Sequence, residues 1–110
     1  MQLARQRSMF AIMESEQIKE VGIDAEGKLF IKPLTQEYPF IYRAAMGVYW
    51  DDKNHYLYSP ILSESKDFDW FQQMLDAVRS EYQHRLLLTE STTWVNVPDD
   101  VKNKISATIR

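Results

Sequence analysis

The sequence predicts an α+β domain: an antiparallel sheet built from two hairpins plus carboxy-terminal strands, with one long helix packed on one face. Three observations carry this. Two turn signals, Asp24-Ala25-Glu26-Gly27 and Asp51-Asp52-Lys53-Asn54, each separate short apolar or alternating runs. Apolar residues recur at helical spacing over 67–84. Two more short apolar runs, 86–89 and 94–97, follow that helix.

In the first hairpin, Val21 and Ile23 share one face of the leading strand. Gly27 takes the left-handed position that closes a type I turn. In the returning strand Leu29 and Ile31 face one way, while Lys28 and Lys32 face the other with Phe30 between them. Pro33 ends the ladder because it has no N–H to donate. In the second hairpin the chain rises from Ala45 to Trp50 and returns from His55 to Ser59. Asn54 stands where Gly27 stood, and asparagine tolerates a left-handed conformation better than most residues. Alternation puts Val48 and Trp50 on one face and Tyr49 on the other, and sets His55 and Leu57 against Tyr56 and Tyr58.

The long helix is capped by Ser65 or Asp67 and buries Phe71, Met74, Leu75, Val78 and Tyr82 on one face. Arg79, His84 and Arg85 suit its negative end. The run 86–89 reads as a strand buried on both faces. Pro98 opens a final helix with Asp99 and Asp100 in its first turn, and Val101, Ile105 and Ile109 line its inner side.

A chain of 110 residues is one domain, 1–110, with enough length to bury a core. It has no cysteine, which removes disulfides and thiolate chemistry and fits a reducing cytoplasm. No apolar run reaches the ~20 residues needed to span a bilayer. Residues 1–14 are expected to form a short amphipathic helix or a partly ordered tail. The net charge is −3, and every acidic residue lies between Glu14 and Asp100. A body that is acidic gains no attraction to a phosphate backbone, so nucleic acid is not an expected partner.

Catalytic motifs are sparse. His55 lies beside Asp51 and Asp52, and Glu90 follows a strand, so an acid–base enzyme using His55 with Asp51, Asp52 or Glu90 is one reading. Turn duty for the aspartates and a half-exposed imidazole are the plainer explanation. Helix-dipole complementarity suffices for His84. Ser91, Thr92 and Thr93 lack the glycine elbow and neighbouring base of a nucleophile. No spacing suggests a metal site, no glycine-rich loop cradles phosphate, and no cofactor is expected.

Aromatic residues are the feature that stands out. Tyr42, Tyr49, Trp50, Tyr56 and Tyr58 crowd the second hairpin, and Tyr38, Phe40, Phe68, Trp70 and Trp94 add to them. One face must be core. The other carries more aromatic surface than solvent contact needs, which suits an interface, a small flat or cationic ligand, or a second layer of the protein covering it.

Two stretches, Tyr42-Arg43-Ala44-Ala45-Met46-Gly47-Val48-Tyr49-Trp50-Asp51 with Tyr58-Ser59-Pro60, and residues 86–98 (LLLTESTTWVNVP), resemble small uncharacterised bacterial proteins of the integron gene-cassette type. The resemblance implies a cytoplasmic protein of the mobile metagenome, often oligomeric. It implies no mechanism and no catalytic residue. The leading reading is therefore a non-catalytic accessory protein. It acts by binding through Tyr49, Trp50, Tyr56, Tyr58 and Trp94, as a homodimer or toward a protein partner or small ligand. An acidic immunity or antitoxin-like protein, neutralising a basic partner, is the further alternative.

Overall fold

The computed structural model describes residues 13–60 and 67–108. The amino-terminal segment ahead of Met13, Ser65 as a helix cap and Ile109 as an inner-face residue lie outside the described residues. In chain order the elements are β1 (Glu14–Ile23), β2 (Leu29–Pro33), a single 3₁₀ turn (Ile41–Arg43), β3 (Tyr49–Asp51), β4 (Tyr56–Tyr58), α1 (Asp67–Tyr82), β5 (His84–Leu87), β6 (Thr93–Val95) and α2 (Asp99–Thr108). This is an α+β fold.

Both hairpins form. In the first, Val21 lies opposite Ile31 and Ile23 opposite Leu29. The Asp24 carboxylate accepts the backbone N–H groups of Glu26 and Lys28, both at 2.9 Å, and Gly27 turns left-handed with φ 88°. In the second, Trp50 lies opposite Leu57 and Tyr49 opposite Tyr58. The Asp51 carboxylate holds this turn through Lys53 and Asn54. Here the left-handed residue is His55 (φ 59°), not Asn54. The loop closes later than the sequence suggests, with the His55 N–H donating to the Asp51 carbonyl at 2.7 Å, so β4 starts at Tyr56.

The carboxy-terminal strands join the opposite edge of β1, and they join it in parallel. Glu14–Gln17 pair with β5 and Glu20–Gly22 pair with β6, giving the order β3–β4–β2–β1–β5 with β6 on β1 beyond β5. The sheet is therefore mixed. The physical reason is α1: a helix between β4 and β5 carries the chain back, so β5 runs in the same direction as β4 and β1.

Between these two sets of partners β1 carries a bulge. Its register against β2 slips between Ile18 and Glu20. The extra residue reverses the alternation, so Ile18 and Val21 both face the core despite their odd spacing. Thr92, buried in the β5–β6 connection, donates its hydroxyl to the Ile18 carbonyl at this slip at 2.7 Å and accepts the Thr89 N–H at 3.0 Å.

The inner face of the sheet packs on the helices. Val21, Leu29, Ile31 and Leu57 meet Trp70, Phe71, Met74 and Val78 of α1, and Ile105 of α2 completes the core. Helix α1 stops at Tyr82 because Gln83 adopts a left-handed conformation (φ 55°), its N–H bonding the Arg79 carbonyl at 3.0 Å. His84 is consequently the first residue of β5, not the end of the helix. Strand β5 is not buried on both faces, since Arg85 is exposed and only Leu86 is fully enclosed.

On the outer face Gly22 lies directly opposite Phe30. A Cβ there would sit 2.3 Å from the Phe30 ring tip. The Phe30 ring thus covers a strand glycine, shielding its backbone from water. Replacing Gly22 with alanine should tilt that ring away and cost about 1 kcal/mol, measured by urea unfolding. Thr92→Val should cost more, about 1–3 kcal/mol, because a buried carbonyl and a buried N–H lose their partner together.

Candidate functional site

The outer face of the sheet is the most distinctive surface. One rung across it runs Tyr49, Tyr58, Phe30 and Gly22, from β3 to β1. Tyr56 lies diagonal to this row and stacks on Phe30, with ring centroids 4.6 Å apart and planes 21° apart. Tyr49 and Tyr58 are 5.4 Å apart, Tyr56 and Tyr58 6.3 Å. Lys28 places its ammonium 5.6 Å from the Tyr58 ring centre while pairing with Glu26 at 3.2 Å. Helix α1 packs on the other side of the sheet, where its Trp70, Phe71, Met74 and Val78 share the core with Val21, Leu29, Ile31 and Leu57. Burial and the nearby Asp51 and Asp24 carboxylates push the Tyr56 phenol above its ordinary pKa. Tyr56 thus presents a neutral hydroxyl on an apolar ring.

Trp50 and Trp94, grouped with these tyrosines on sequence grounds, lie on the other side. Trp50 pairs with Leu57 and Trp94 with Val21, and both indoles pack against the core. The reason for Trp94 is the parallel pairing of β6 with β1, which no alternation pattern reveals. The Trp50 indole N–H is buried without a hydrogen-bond acceptor among the described residues, its ring meeting Tyr38 edge-on at 6.0 Å.

The histidines are placed differently from expectation. His55 does not meet Asp51, Asp52 or Glu90 through its ring. Asp51 spends its carboxylate on the turn, which holds its pKa below the ordinary value. The imidazole Nδ1 instead lies 3.2 Å from the Glu37 carboxylate, with both side chains more than half exposed. Glu90 is exposed in the turn between β5 and β6. Among the described residues no three histidine, aspartate or glutamate side chains converge as a metal site would require.

His84 belongs to a buried aromatic group that the sequence did not single out. Its Nδ1 lies 3.0 Å from the Tyr38 hydroxyl, and Tyr38 is fully buried. Tyr38 meets Tyr82 at 4.8 Å and His84 at 5.6 Å, both edge-on. Burial, then the Glu16 carboxylate, then Tyr82 push the Tyr38 phenol well above its ordinary pKa. It therefore stays a neutral phenol hydrogen-bonded to the imidazole. Glu16 is itself enclosed, accepting the Gln36 N–H at 2.8 Å and the Thr35 N–H and hydroxyl.

A second apolar outcrop lies on the loop before β3. Tyr42 is 60 % exposed and Met46 91 %, with Arg43 stacked 4.7 Å from the Phe40 ring centre. The loop is held to α1 by the Trp70 indole N–H on the Gly47 carbonyl at 2.8 Å and by Gln73 on the Met46 carbonyl at 3.1 Å. Its exposed side chains are thus fixed outward by well-anchored backbone.

Residues 16–92 match the family of Integron Cassette Protein Hfx_Cass5. The chain belongs to this family. A solved member from the mobile metagenome of the North West Arm sewage outfall, titled as that cassette protein, is 31 % identical. The match covers 87 % of this chain and 96 % of the solved one, with a TM-score of 0.45. No curated protein matches the chain. The cassette-family match spans β1 to the β5–β6 turn, and so includes every strand that contributes a ring to the outer face.

Because the raised Tyr38 pKa means that the folded state holds its proton more tightly than the unfolded chain, stability should be level below roughly pH 10 and fall as pH rises beyond it. Tyr38→Phe should flatten that alkaline loss, measured by urea unfolding across the alkaline pH range. An unchanged alkaline slope would place the titrating group elsewhere.

Proposed function

We propose that this cassette-family protein is a non-catalytic binding protein of the bacterial cytoplasm whose outer sheet face mates with the same face of a second copy. The observation that carries the reading is the row Tyr49–Tyr58–Phe30 with Tyr56 stacked beside it, on a face that no described element covers. Rings of this kind bury large area at small entropic cost and keep a polar tip for hydrogen bonding.

Charge favours a second copy over other partners. Lys28 and Lys32 are matched on this side of the sheet by Glu20, which pairs with Lys32, and by Asp51, which pairs with Tyr56. With Glu26 and Asp24 also at its border, this face carries both signs and gives a phosphate backbone no field attraction. An isologous contact needs a patch complementary to itself, and a ring-lined centre with mixed charges at its border meets that need. The absence of cysteine supports a reducing compartment, and no described helix is long and apolar enough to cross a membrane.

Light scattering on a sizing column across a dilution series tests the reading. We expect a dimer that persists to roughly 10 μM, and we expect Tyr49→Ser and Tyr58→Ser each to weaken it by about tenfold or more with circular dichroism unchanged. A monomer at about 100 μM would falsify the self-association, as would serine variants that dimerise normally.

A further inference from the structure

We draw no further inference here: the strongest candidate, the exposed apolar patch of Phe40, Tyr42 and Met46 on the loop between β2 and β3, carries nothing because nothing among the described residues shows what covers it.

Discussion

Strand β1 has to keep one side in the core along ten residues while changing partners part-way, and the slip between Ile18 and Glu20 is what allows both. Without it, strict alternation would put either Ile18 or Val21 in water. With it, Glu16 and Ile18 point inward beside β5, and Val21 and Ile23 point inward beside β6. At the same slip the Thr92 hydroxyl donates to the Ile18 carbonyl, tying the β5–β6 turn to the middle of the sheet. The placement of β6, of Trp94 and of α2 follows from that junction.

The first hairpin turn decides what the outer face looks like. Its register sets Ile23 opposite Leu29, and so Gly22, not a bulky residue, opposite Phe30. The ring can then lie flat over backbone, which lets Tyr56 stack on its other flank and Tyr58 and Tyr49 extend the row. On the inner side the corresponding anchor is Tyr38, enclosed by Trp50, Tyr82 and His84 and held by a hydrogen bond to the imidazole. Tyr82 in turn accepts the Phe40 N–H at 2.8 Å, so the loop that follows β2 is fastened to the end of α1. Two aromatic groups lie one on each side of the sheet: the inner is closed packing, while the outer buries Phe30 beneath half-buried Tyr56 and Tyr58 and leaves Tyr49 exposed.

Much of this was legible in the residues themselves. The alternation over 28–32 correctly separates Leu29 and Ile31 from Lys28, Phe30 and Lys32, and the stripe in α1 correctly names Phe71, Met74 and Val78 as core. Asp24 and Asp51 reveal their turns because a short carboxylate can satisfy the N–H groups two to four residues ahead. The exact left-handed position in the second turn was not legible, since Asn54 and His55 both tolerate it and the closing hydrogen bond decides. Nor were the partners of the histidines. Glu37 is far from His55 in the chain, and Tyr38 is 46 positions from His84.

By itself the sequence determined the α+β class, both hairpins, the long helix, the sidedness of most strand residues, and a resemblance to cassette proteins. Those features are written in local chemistry: turn carboxylates, period-two and period-3.6 spacing, and residue types that act within a few positions of one another. Only the tertiary structure decided that the last two strands run parallel to β1, that Trp50 and Trp94 face the core, and that His84 meets the Tyr38 hydroxyl. Each of these depends on which edge of β1 the chain returns to after α1. That choice is made by packing between distant segments, and no window of the sequence contains both sides of the contact.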